Sequence, residues 1–197
     1  MDGTTLRDGI FALNTRRFGS VAEVMVQLLI NAKRARNLFH DLYDDAKNHR
    51  IEVKFSRVQK KSEILVSQST VLQCIAEATA ANRLICFDKW SEHKFDCNIQ
   101  QIKRSEFEIL YYGLFFSDCI KIFRIHSGEI DSHIYYSDKQ HKGNIGEGQF
   151  HVNHETIQIH LSKYLYKTLP YDQLFQLLSA PLVSPNEQIE PSFVEDD

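Results

Sequence analysis

Apolar residues recur at helical spacing early in the chain and at alternating spacing soon afterwards. Val21, Val24, Met25, Leu28, Leu29 and Ala32 share one face of a helix expected over residues 20–38. Ser20 can cap its start, with Glu23 as its capping-box partner, and Lys33, Arg34 and Arg36 suit its C-terminal end. Two extended runs follow, about 40–45 and 50–58, separated by the polar stretch DAKNH, which predicts an antiparallel hairpin. A possible strand and a helix near 69–81 come next, then an alternating strand over 95–103. Phe107, Leu110, Tyr111, Leu114 and Phe115 return to helical spacing behind Ser105 and Glu108, a second capping-box pair, and CIKIFRI (119–125) reads as a strand. ETIQIHL alternates like a strand, and LPYDQLFQLL closes the pattern as a helix. The order helix, strand, strand, strand, helix, strand describes an α/β fold with a mixed central β-sheet flanked by helices.

The hairpin carries the most informative polar pattern. With a four-residue loop at 46–49, Asp45 faces Arg50, Tyr43 faces Glu52 and Asp41 faces Lys54. Directly paired residues share a sheet face, so Asp41, Tyr43, Glu52 and Lys54 project together while Leu42, Val53 and Phe55 enter the core. Two neighbouring carboxylates repel, and a site that keeps both ionised needs a cation. Their oxygens favour a hard ion such as Mg²⁺, and a Lys ammonium beside them can hold or help deprotonate an attacking water. Asp44 and Asp45 compete for the metal role, although Asp44 is expected on the opposite face and Asp45 at the turn.

Charge changes this picture only when its distribution is considered. The net charge is −3, but the last nineteen residues hold Glu187, Glu190, Glu195, Asp196 and Asp197 and no Lys or Arg. Without those five acids, residues 1–178 carry +2, a mildly basic body compatible with a nucleic-acid partner. The acidic 179–197 tail has the composition of a disordered segment. No run approaches eighteen apolar residues, which argues against a membrane span, and the N-terminus lacks the pattern of a secretory signal, so the chain is expected in the cytoplasm. Cys74, Cys86, Cys97 and Cys119 are scattered in apolar surroundings without a CxxC pair, as buried reduced thiols would be.

Asp41, ten intervening residues and then Glu52-Val53-Lys54 resembles the motif of PD-(D/E)XK nucleases, and HDLYDDAKNHRIEVKFSRV looks like the version in small type II restriction endonucleases. The predicted element order resembles that family's αβββαβ core, over about residues 19–125. The resemblance implies that Asp41, Glu52 and the Val53 carbonyl bind Mg²⁺ and that Lys54 positions the attacking water. The implied reaction is hydrolysis of phosphodiester bonds in double-stranded DNA, leaving a 5′-phosphate and a 3′-hydroxyl. Glu23 corresponds to a further acid that family members often place on the first helix, and Gln101 could reach the scissile phosphate or its water. Two features depart from the pattern. His40 stands where the family has proline, and Leu38–Asp41 is too short for the strand that usually precedes the Asp strand.

Residues 126–178 are expected to complete a single domain, 1–178, and to read DNA. Within them Lys139, Gln140, His141, Lys142, Asn144 and Gln149 combine phosphate-seeking and adenine-reading side chains with glycines that let a backbone approach DNA closely. His151, His154 and His160 lack the spacing of a zinc site. The resulting expectation is a restriction endonuclease that acts as a homodimer, with a cognate DNA methyltransferase working in trans on the same site. A repair or recombination nuclease would cut without strict sequence dependence. A DNA-binding module on the same scaffold would bind without cutting.

Overall fold

Two helices open the chain, α1 over Gly3–Ala12 and α2 over Thr15–Ile30. The computed structural model describes residues 1–37, 39–61, 64–139 and 146–180. Asn14, and not Ser20, starts α2: its side-chain oxygen accepts from the Arg17 amide at 3.0 Å. Ser20 lies inside the helix with its hydroxyl on the Arg16 carbonyl, which removes the expected capping box. Asn31 ends α2 in a left-handed conformation (φ 52°), seven residues before the expected end. The early stop frees Lys33–Arg34 to form β1, a two-residue strand.

β2 (Leu42–Asp44) pairs antiparallel with β1 and with β3 (His49–Arg57). The hairpin therefore exists, but its turn is one residue earlier than expected, at 45–48. Asp44 accepts from the Ala46 and Lys47 amides, and Asn48 supplies the positive φ of 56° that closes the turn. Leu42 faces Ile51 and Tyr43 faces Arg50, a displacement of two residues from the expected register. A one-residue slip would turn every side chain over, whereas a two-residue displacement keeps each on its face.

The connection from β3 carries α3 (Val71–Glu77), α4 (Ala80–Arg83) and a 3₁₀ turn at Phe87–Glu92 before β4 (Asp96–Ile102). Among the described residues no strand lies between β3 and α3. Residues 105–116 form no helix: Ile109–Phe115 is β5, lying parallel to β3 and antiparallel to β6 (Cys119–His126). All seven β5 residues are buried, so the strand is apolar on both faces and contains chance helical spacings. Glu108 binds Arg50 across the sheet and caps nothing. β7 (Gly148–Asn153) pairs with β4 in a separate two-stranded sheet. ETIQIHL folds as α5 (Ile157–Lys163) and not as a strand, followed by β8 (Leu165–Pro170) and α6 (Tyr171–Ser179).

The main sheet has six strands in the order β1-β2-β3-β5-β6-β8. Ile51, Val53, Ile109 and Tyr111 meet α1, α2 and α6 in one core, while Leu110, Tyr112 and Leu114 meet Phe95 and the small sheet's Ile99 and Phe150 in the other. The result is an α/β fold with a mixed sheet flanked by helices, as the sequence predicts. Among the described residues no helix is long and apolar enough to cross a membrane. Cys97 and Cys119 are buried thiols, but Cys74 and Cys86 are partly exposed, contrary to expectation.

Candidate active site

Asp41 is fixed by backbone pairing on both sides. Its amide donates to the Ile51 carbonyl at 3.1 Å, and its carbonyl accepts from the Ala35 amide at 3.0 Å. Its carboxylate turns over the end of the hairpin, where Oδ2 accepts from the Val53 amide at 2.8 Å. Glu52 and Lys54 alternate with Ile51, Val53 and Phe55, which enter the helix-side core, so they emerge on the opposite face. The Lys54 ammonium hydrogen-bonds Glu52 and lies 3.9 Å from Asp41 Oδ2. Asp41, Glu52 and Lys54 therefore meet, although the pairing that joins them differs from the expected one. Tyr43 shares their face, with its hydroxyl bonded to Asn48.

The electrostatics of this cluster are unbalanced. Glu52 is only 9% exposed. Burial pushes its carboxyl up to about 7, with the Asp41 charge adding to the rise and Lys54 opposing it. Burial also disfavours the Lys54 ammonium, but Glu52 and Asp41 outweigh it and raise the Lys54 pKa. Glu23 lies on α2, half-buried, and its carboxyl is raised by burial and then by Asp41, with Arg34 opposing at 3.8 Å. With the capping role gone, its place in the fold is beside the Asp41 charge.

One lysine thus faces two carboxylates, with a third acid nearby. Among the described residues no three His, Cys, Asp or Glu side chains are arranged to hold a metal. Mg²⁺, however, is bound in many sites by only one or two carboxylates together with water and substrate phosphate oxygens. Hard oxygen donors, excess negative charge and the raised Glu52 carboxyl fit such an ion. Val53 contributes its amide to Asp41, while its side chain is buried. Asp44 and Asp45 do not belong to this set: Asp44 caps the turn and pairs with Lys47, and Asp45 pairs with Lys33.

The other expected residues are distributed differently. Gln101 lies on β4 at a bulge, exposed, with φ 62°. Gln149, on β7, accepts from the Asn98 side-chain Nδ2 at 2.9 Å and donates to the Lys139 carbonyl at 3.3 Å, which engages its side-chain amide within the protein. Lys139 is exposed. Gln140, His141, Lys142 and Asn144 lie outside the described residues, as does the tail from residue 181. His160 is buried on α5 with Nδ1 against the Tyr112 hydroxyl at 2.7 Å, and His151 pairs with Asp96.

Two neighbours of the site escape a reading of local sequence. Glu106 adds to the rise of the Glu52 carboxyl, and its own ion pair is with Lys103 at 3.6 Å. It arrives through the parallel pairing of β5 with β3, which no local pattern encodes. His40, next to Asp41, is buried, and Nδ1 finds no partner among the described residues; its place before the Asp was the only available signal. Compared with models of protein families, with curated proteins and with solved structures, the chain matches none.

Proposed function

We propose that this protein is a Mg²⁺-dependent endonuclease of the type II restriction class, hydrolysing phosphodiester bonds in double-stranded DNA. The observation that carries the reading is the meeting of Asp41, Glu52 and Lys54 at the hairpin, with a buried carboxyl raised to about 7 beside a lysine. Perturbed titratable groups of this kind concentrate at functional sites. Asp41 and Glu52 would hold Mg²⁺, with the Val53 carbonyl as a further oxygen and Glu23 in reserve on α2. When bound, the ion supplies positive charge to the phosphate oxygens.

The chain's own part is positional. Lys54, kept protonated by Glu52 and Asp41, would orient a water for attack on phosphorus. As the new P–O bond forms, the water's proton would pass to solvent, the P–O3′ bond would break, and the departing O3′ would take a proton from solvent, giving a 5′-phosphate and a 3′-hydroxyl. The Val53 amide keeps the Asp41 carboxylate aimed at the site. Lys139, Lys142 and their neighbours would contact DNA, and Gln101 would approach the scissile phosphate. Two copies would cut the two strands of a palindrome, and a methyltransferase of matching specificity would protect the host DNA.

Incubating the protein with unmethylated phage DNA, with Mg²⁺ or with a chelator, tests this directly. Discrete Mg²⁺-dependent fragments are expected, and mapping their ends gives the site. A smear points to a repair-type nuclease, and salt-sensitive binding without cutting points to a non-cutting module.

A further inference from the structure

The connection between β3 and β4 presents an apolar surface that none of the described residues covers. α3 buries none of its seven residues. Leu72 and Ile75 are 79% and 64% exposed, and Leu65 and Val66 beside them are 86% and 72% exposed. A helix this short does not hold itself together in water, and in proteins its stability comes from packing an apolar face. Val66 is also part of the lining of a groove of about 760 Å³, together with Ile64, Cys74 and Ala78. Among the described residues its lining carries Lys60, Lys61 and Arg83 against one acid, Glu77. The occupant should therefore be both apolar and acidic.

We propose that the groove receives the chain's own C-terminal segment, residues 181–197, PLVSPNEQIEPSFVEDD. That sequence combines Leu182, Val183, Ile189, Phe193 and Val194 with five acids and no basic residue. Its reach is sufficient. Tyr171, at the start of α6, donates to the Phe116 carbonyl at 2.6 Å, and the Ser117 amide donates to the Ile85 carbonyl at 2.9 Å. Leu84 in turn bridges Gln59, beside Lys60. Nine helical residues cover about 14 Å, so the path from Ala180 back along α6 and across to Lys60 is roughly 30 Å, which about ten extended residues span. A second copy fits less well, because a two-fold contact would set three cations and one acid against the same set. DNA would gain nothing from the apolar side chains. This docking stands whether or not the chain is a nuclease.

Zero-length carbodiimide coupling of the full-length protein, with mass-spectrometric mapping, is the test. The expected products are amide bonds within one chain, joining Lys60 or Lys61 to acids among Glu187, Glu190, Glu195, Asp196 and Asp197. In a full-length variant with these five acids changed to their amides, the Cys74 thiol should react roughly fivefold faster with a thiol reagent, with Cys86 as the reference. Joints found only between chains would overturn the proposal in favour of self-association. No joint to Lys60 or Lys61, together with an unchanged Cys74 rate, would overturn it altogether.

Discussion

Replacing Glu52 with Gln removes a charge from a place where charge is costly, and the cost has a defined pH window. The Glu52 carboxyl ionises near 4.5 in the unfolded chain and near 7 in the folded one. A raised carboxyl contributes stability that is fully present below pH 4.5 and is lost as pH rises through 7. A shift of that size corresponds to about 3 kcal/mol. Gln keeps the shape and the acceptor oxygen for Lys54, so it mimics the protonated form at every pH. At pH 5 the two proteins should be of similar stability. At pH 8 Glu52→Gln should be the more stable by about 2–3 kcal/mol, which for a chain of this length is about 5–10 °C in Tm. Thermal unfolding followed by circular dichroism from pH 5 to pH 8 measures the difference, in which the titration of distant groups cancels. Added Mg²⁺ should flatten the pH dependence, because a bound dication favours ionised Glu52. Parallel stability curves for the two proteins would refute the argument, since Glu52 would then ionise as readily folded as unfolded.

Lys54→Ala should lower cleavage by about 10²–10⁴-fold, the usual contribution of a proton-handling side chain, with DNA binding retained in a gel-shift assay. Lys139→Ala combined with Lys142→Ala should weaken DNA binding and reduce its logarithmic salt slope by up to about 2 if both side chains contact phosphates. Gly113→Ala should destabilise by about 3 kcal/mol in chemical denaturation, because a Cβ there would lie 2.4 Å from the Lys121 carbonyl oxygen and would overlap the Phe55 ring. Asn14→Ala should cost about 1 kcal/mol in the same assay through loss of the α2 cap.

The face of a strand was more legible than its register. Alternation and an assumed hairpin pairing put Asp41, Glu52 and Lys54 on one side of the hairpin, whereas Asp44 and Asn48 decided the turn and displaced the pairing by two residues. Helical spacing misled where burial was complete. β5 is covered on both faces, so its residues carry no polar face to reveal a period of two. The same limitation ran in reverse at α5, where a seven-residue helix shows too few positions to separate helix from strand. The ends of α2 were set by asparagines that the apolar pattern does not weigh. The arrival of Glu106 and Glu108 beside the hairpin depended on a long crossover between parallel strands, which is a property of the fold and not of any segment.

The two borders of the six-stranded sheet differ from its centre in a way that bears on the behaviour of concentrated protein. β1 is only two residues long and exposes Lys33 and Arg34. β8 is bulged against β6, carries Lys167 and ends at Pro170, which has no amide to donate. A growing cross-β stack needs a long, flat, uncharged margin with its donors free, and neither border offers one. The molecule should therefore resist templated fibre growth through this sheet even though β5 and β6 are rich in Ile, Leu, Phe and Tyr. Any lasting assembly formed across the borders of this sheet should be joined by side chains instead of by strand addition.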